Sequence, residues 1–202
     1  MSFDRIAPVY DFLSHVVYGK SMVDSQIYFL KRIPAMSRVL IMGGGTGWIV
    51  KELFAINRTC SVVYVEASQK MIEQSKQKIQ PGDFSRIEFL QQTEIPGHER
   101  YDVVITNFFL DLFPEDKLTA VVKQLKNVMK DDGFWIATDF VNERKLWQRF
   151  LLATMYIFFH VVSKIEATSL PLWKEHLHAE GLQVKEQQKF YGNFIESVLY
   201  TR

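Results

Sequence analysis

Residues 38–48, RVLIMGGGTGW, constrain this chain more than any other stretch. The apolar run 39–42 has the length of a buried strand and stops abruptly at three glycines followed by Thr46-Gly47. Glycine lets the backbone turn sharply and lie against a ligand with no Cβ in between. Beyond Gly47 the apolar positions Ile49, Val50, Leu53 and Phe54 recur at helical spacing, so the unit reads strand, glycine loop, helix. N–H groups at such a helix start favour anionic or hydrogen-bond-accepting ligand groups. The unit is therefore either a cofactor cradle or a tight turn with no ligand.

Spacing narrows the choice. The dinucleotide fingerprint needs a glycine at the sixth position of the loop, and counting from Gly43 that position is Trp48. Gly43, Gly45 and Gly47 instead match G-x-G-x-G, and the segment resembles the V-L-D-x-G-x-G-T-G loop of class I S-adenosylmethionine-dependent methyltransferases. Here the segment is VLIMGGGTG, with Ile41 where that family carries an acid. The resemblance implies cofactor contacts from Gly43, Gly44, Gly45, Thr46 and Gly47. Near the start, Val9, Phe12, Leu13, Val16 and Val17 form a helical apolar stripe that could cap either core or ligand. Phe3, Asp4, Ala7, Tyr10 and Asp11 also meet the F-D-x-x-A-x-x-Y-D pattern that opens the ubiquinone/menaquinone-biosynthesis type of methyltransferase. That likeness implies a place for Tyr10 near the methionine end of the cofactor.

The run SVVYV at 61–65 reads as a second strand ending on Glu66, 23 residues after Gly43. A strand-end carboxylate there suits hydrogen bonding to a ribose diol, with a solvated strand end as the alternative. EASQKM resembles the family's D/E-x-S-x-x-M, which implies cofactor contacts from Glu66, Ala67 and Ser68 and places Met71 against the adenine. Residues 69–80 read as a helix with Met71, Ile72, Ser75 and Ile79 inward and Lys70, Lys76 and Lys78 on a solvated face. Pro81-Gly82 ends it, and 87–91 is a third strand. Gln92 and Thr93 follow, where the resembling enzymes often use an aspartate toward the adenine amine.

Asp102 opens a fourth strand, 103–106, whose apolar continuity fits burial on both faces of a parallel sheet. Asn107, Phe108 and Phe109 end it where a doubly wound sheet opens its ligand crevice. The resemblance puts Asn107 and Phe108 at the cofactor and Asp111 at the methyl-transfer site. Read from the residues alone, Asp111 caps a helix starting near Pro114 equally well. Leu118, Val121, Val122, Leu125, Val128 and Met129 form the inward stripe of that helix. Asp131-Asp132-Gly133 reads as a turn before a fifth strand.

The most apolar stretch is 146–162, with three readings: a buried helix, a lid over an acceptor pocket, or a membrane-surface contact. Its uninterrupted apolar part is too short to span a bilayer. His160 on this helix is a candidate base or a core histidine. His176 and His178, two apart on a probable helix turn, face different sides, so no metal site is expected. Residues 182–190 and 193–202 read as two strands joined at Tyr191-Gly192. An antiparallel hairpin after five parallel strands is the mark of the class I methyltransferase sheet. The expected fold is thus α/β and Rossmann-like: a mostly parallel seven-stranded sheet with a C-terminal antiparallel hairpin and helices on both faces. One domain, 1–202, is expected, with a helical cap at 1–36 and a helical lid or insertion at 141–180.

The charge balance, 24 Lys plus Arg against 23 Asp plus Glu, provides no net field toward nucleic acid. A lone Cys60 excludes an internal disulfide framework. No secretory leader is read at the N-terminus, and a cytoplasmic location is expected. The resemblance implies S-adenosylmethionine as cofactor and methyl transfer to a small-molecule acceptor, apolar or aromatic given the many Phe, Trp and Tyr residues. Asp111, Tyr10 and His160 are the candidate catalytic residues. Two other readings stay open: a catalytically silent cofactor-binding partner protein, kept by Ile41 and Thr93, and a nucleotide-dependent oxidoreductase, which Trp48 opposes. Partners are expected to be the acceptor, no nucleic acid, and a peripheral membrane or lipid surface under the third reading of 146–162. Nothing in the sequence selects an oligomeric state.

Overall fold

The computed structural model describes residues 19–143, 145–163, 167 and 169–202, with the side chains of 157–163 outside that description. Phe3, Asp4, Ala7, Tyr10 and Asp11 lie outside the described residues. Helix α1 is Lys20–Ile27. Strand β1, Arg38–Met42, leads through the glycine loop into α2, Trp48–Ile56. Then follow β2, Ser61–Glu66, α3, Gln69–Gln77, and β3, Ile87–Gln91. A loop without a helix leads to β4, Tyr101–Asn107, then α4, Glu115–Val128, and β5, Met129–Phe140. The chain continues through α5, Leu146–Ser163, and α6, Trp173–Ala179, into β6, Gln183–Phe190, and β7, Ile195–Thr201.

The seven strands form one sheet in the order β3-β2-β1-β4-β5-β7-β6. β1 to β5 run parallel, while β7 is antiparallel to both β5 and β6. The expected sheet and its C-terminal hairpin are both present. Strand order reverses at β1, whose neighbours are β2 and β4, so the crevice of this sheet lies at the carboxyl ends of β1 and β4. Gly43 follows the first and Phe108 the second.

Side-chain parity on β1 divides the core. Leu40 and Met42 face the layer built by Leu118, Val122 and Leu125 of α4 with Trp173 and Leu177 of α6. Val39 and Ile41 face the other layer, with Ile49, Val50, Leu53 and Phe54 of α2. Ile41 is thus a packed core residue. A third cluster, with Phe108, Phe140, Leu152, Tyr156 and Phe194, closes the carboxyl rim of the sheet.

Three local expectations change. α3 stops at Gln77, three residues early, because Lys78 donates back to Ser75 and the chain turns before Pro81 starts a 3-10 turn. Residues 131–133 form no separate turn: they sit within β5 as an irregularity, the register jumping from Tyr101 opposite Met129 to Val103 opposite Phe134. Pro114, not Asp111, is the residue before α4, and no side chain caps that helix.

Gly47 joins loop to helix at φ +79°, and a Cβ there would collide with the backbone and side chain of Ser75 on α3. Gly47→Ala is therefore expected to lower stability by about 2 kcal/mol or more, combining left-handed backbone strain with overpacking. A urea midpoint that falls at unchanged m-value is the check.

Candidate functional site

β2 presents Tyr64 and Glu66 on the face that meets the glycine loop, since residues two apart on a strand point the same way. The Tyr64 hydroxyl donates to the carbonyl of Gly45 at 2.6 Å, and the Tyr64 ring lies directly under Gly44, where any Cβ would enter it. Glu66 is buried; its Oε2 accepts the Gly45 N–H at 2.9 Å and its Oε1 the Ser68 N–H at 2.9 Å. The Gly44 N–H donates to Val65 O at 3.2 Å. The loop is thus tied to the end of β2 at consecutive residues. Ser68 in turn caps α3, its Oγ accepting the Met71 N–H at 3.3 Å. That bond places the buried Met71 beside the same strand end.

Gly45 differs from its neighbours. Its φ is +64° and a Cβ on it would meet no described residue within 4 Å, so among the described residues this face of the loop opens onto space a ligand can fill. Gly43, at φ +63°, instead admits the Phe109 ring, which a Cβ would approach to 2.7 Å. That contact brings the loop after β1 against the loop after β4. Thr46 is buried within the turn, and Ala67 is half-buried.

Phe108 occupies φ +50°, an unusual backbone for a bulky side chain, held by its N–H donating to Thr138 O at 2.8 Å. This kink re-aims the chain beyond Asn107. Both polar atoms of the Asn107 side chain are buried, with no hydrogen-bond partner among the described residues. Such unsatisfied groups are rare in folded proteins and mark positions where a ligand completes the bonding.

Asp111 follows in a short 3-10 turn, Leu110–Leu112, and is 4% exposed, with its Oδ1 lacking any partner among the described residues. Burial pushes its carboxyl up to about 7. Beside it lies a residue with no role in the sequence reading: Asp139, 1% exposed at the end of β5. Its Oδ2 accepts the N–H groups of Leu110 at 3.0 Å and Asp111 at 3.2 Å. Its Oδ1 accepts the Phe140 N–H at 2.8 Å. Burial, and then the charge of Asp111, push Asp139 well above the usual carboxylate range. The signal available in the sequence was an acid closing an otherwise apolar strand at the carboxyl edge of the sheet. Tyr156 of α5 completes the group, its hydroxyl reaching the Asp111 carbonyl in a long 3.4 Å contact.

The remaining candidates scatter. Gln92 is half-buried and its amide donates to Glu94 O at 2.8 Å, bracing the loop after β3, while Thr93 is exposed. Tyr10 lies outside the described residues. His160 belongs to α5, with its side chain outside the description. His176 is engaged by Thr119 at 2.8 Å and Glu115 at 3.2 Å, bracing α6 on α4. Among the described residues no group of three or more His, Cys, Asp or Glu is placed to hold a metal ion. α5 buries Leu152 and Tyr156 yet exposes Leu146 at 82% and Phe150 at 70%. No helix among the described residues is long and apolar enough to cross a membrane.

Residues 40–135 match the protein-family model described as methyltransferase domain. The whole chain overlays mitomycin 7-O-methyltransferase MmcR at TM-score 0.73 and 15% identity, covering 61% of that protein. The chain has the fold of the class I methyltransferases, and its residues 40–135 resemble their domain in sequence. It also resembles the DhpI-SAM-HEP complex structure at TM-score 0.69 and 19% identity, over 98% of this chain and 93% of that one. Among curated proteins it is 26% identical over 147 residues to malonyl-[acyl-carrier protein] O-methyltransferase of Halalkalibacterium halodurans. That match covers 68% of this chain and 53% of the relative, so the chain spans about half the length of the curated protein it matches.

Within this strand-loop-helix unit, Tyr64→Phe removes the hydroxyl that fixes the Gly45 carbonyl. The expected cost is about 1 kcal/mol of stability, read from urea denaturation.

Proposed function

We propose that this chain binds S-adenosylmethionine and transfers its methyl group to a small acceptor with an apolar or aromatic body. The observation that carries the reading is the pairing of an open Gly45 face with the Glu66 carboxylate, two features of one strand-loop-helix unit at the switch between β1 and β4. When bound, the cofactor supplies a methyl carbon activated on a sulfonium, so the protein's work is to bind and orient.

The residues divide that work. Glu66, already oriented by two backbone N–H groups, is a carboxylate with acceptor capacity for a ribose diol as well. Ala67, Ser68 and Met71 sit beside it as the wall for the adenine, and Gln92 and Thr93 lie on the next strand's exit. Gly43, Gly44, Gly45, Thr46 and Gly47 keep side chains away from the cofactor, and Asn107 and Phe108 form the opposite rim. Asn107 carries the unsatisfied amide that a polar ligand group would complete. Holding an acceptor in line in such a crevice can account for roughly 7–11 kcal/mol of a barrier. Asp111 is the candidate proton acceptor with a described setting; Tyr10 and His160 remain proposals from the sequence, as does a closer relation to the ubiquinone/menaquinone type. The malonyl-[acyl-carrier protein] relative adds acyl-carrier substrates to the acceptors worth screening.

Calorimetric titration with S-adenosylhomocysteine is expected to show micromolar binding by the wild type. Glu66→Ala and Gly45→Arg are expected to weaken it by about tenfold or more, the equivalent of one charge-assisted hydrogen bond for the first. Absence of binding by folded wild type, or selective binding of NAD, would overturn the reading. Binding without turnover across quinols, phenols, lipids and acyl-carrier substrates would favour a silent partner protein.

The exposed Leu146 and Phe150, one helical turn apart with Arg149 exposed beside them, favour a second property of the domain: peripheral contact with a lipid surface. Leu146→Ser with Phe150→Ser is expected to reduce co-sedimentation with anionic phospholipid vesicles severalfold. Equal sedimentation of variant and wild type would remove this property.

A further inference from the structure

The Asp111 and Asp139 side chains are both almost fully buried, and they are neighbours, Asp139 Oδ2 accepting the Asp111 N–H at 3.2 Å. They are not equivalent. Asp139 accepts three backbone N–H groups, from Leu110, Asp111 and Phe140, and such donors favour the ionised carboxylate. Two of the three belong to the 3-10 turn that carries Asp111, so the Asp139 anion also fixes where that turn sits. The buried Asp111 Oδ1 has no partner among the described residues. Among the described residues, no cation forms an ion pair with either aspartate. The groups facing the pair, among the described residues, are the Tyr156 hydroxyl from α5 and, across the β5–β7 ladder, Glu196 opposite Asp139. Glu196 is itself neutralised by Lys174 of α6, with both its oxygens 3.0 Å from the ammonium.

Two neighbouring buried carboxylates that have no counter-charge among the described residues do not both ionise. We propose that Asp111 and Asp139 share a single proton at neutral pH, with the negative charge on Asp139 and the proton on Asp111, Asp139 being the positioning residue that holds Asp111 in that state at the crevice. Burial raises both carboxyls, and the three N–H groups on Asp139, against none on the Asp111 side chain among the described residues, are what put the charge on Asp139. The pairing stands on the buried geometry itself; its use by an acceptor rests on the methyl-transfer reading above. Under that reading Asp111 donates a hydrogen bond to an acceptor oxygen while it holds the proton, and can take a proton once it has lost it.

The sign of the linkage follows. A carboxyl whose folded pKa lies above its unfolded value of about 3.9 adds stability below that value and loses it as pH rises through the folded pKa. Wild type should therefore lose stability between about pH 4 and pH 7 from this pair, and Asp111→Asn should lose less. The experiment is a carboxyl-13C aspartate NMR titration of the full chain from pH 4 to 9, with parallel thermal unfolding, on wild type, Asp111→Asn and Asp139→Asn. One wild-type aspartate is expected to titrate near neutrality and to be absent in Asp111→Asn. The Tm advantage of Asp111→Asn over wild type should grow by about 5 °C or more between pH 5 and pH 8. In Asp139→Asn the Asp111 resonance should titrate at least one pH unit lower, because the neighbouring anion is gone. If Asp139→Asn fails to fold, wild type and Asp111→Asn decide. Titration of every aspartate below pH 5, or survival of the near-neutral resonance in Asp111→Asn, would overturn the proposal. A failure of cofactor binding would remove the proposed function and leave these titrations unchanged.

Discussion

The hold of β2 on the glycine loop is the interaction on which the rest of the site depends. A loop with positive φ at Gly43, Gly45 and Gly47 has many alternatives in the unfolded chain and little side-chain packing of its own to choose among them. Tyr64 and Glu66 supply that choice from the neighbouring strand, one by a hydroxyl on the Gly45 carbonyl and the other by a carboxylate on the Gly45 N–H. Because the strand itself is buried in the sheet, both anchors are rigid, and the loop inherits their position. The Glu66 to Ser68 bond then passes the same constraint to the start of α3.

A second constraint acts from the other side of the crevice. The sheet places the ends of β4 and β5 side by side, and the Trp135 indole N–H donating to the Thr106 hydroxyl at 2.8 Å locks them. Beyond that lock the two chains must diverge, and the kinked Phe108 together with the Asp139 carboxylate direct the β4 exit. Burying two acids here costs stability that an apolar pair would not. Sites that violate the ordinary rule against buried unpaired charge are the places where function is expected to reside. Asn107 at the end of β4 and Asp111 in the turn that follows, with polar atoms unsatisfied among the described residues, fit that pattern.

Much of this was legible before any coordinates. The third strand falls at 87–91 as the sequence predicts, a short segment alternating Ile87 and Phe89 with Glu88 after the Pro81-Gly82 break. The glycine loop, Glu66 and Ser68 were likewise readable, since each chemistry depends on residues close in sequence. Asp139 was not given a role, because an acid at a strand end is ordinarily solvated, and only the approach of Leu110 and Asp111 from another strand's exit makes it a buried acceptor. The turn expected at 131–133 failed for a related reason: the pairing of β4 with β5 absorbs those residues as a bulge, overriding a local sequence that favours turning.

The sequence by itself determined the alternation of strands and helices, the hairpin at the end of the sheet and the backbone freedom of the loop, all of which are set by period and by glycine within a few residues. The tertiary structure alone decided that Gly45 is the glycine that faces open space, while Gly44 and Gly47 make room for Tyr64 and Ser75. It also decided that two aspartates 28 residues apart meet without a counter-ion among the described residues. Burial and mutual charge are properties of neighbours in space, and no spacing rule along the chain encodes them.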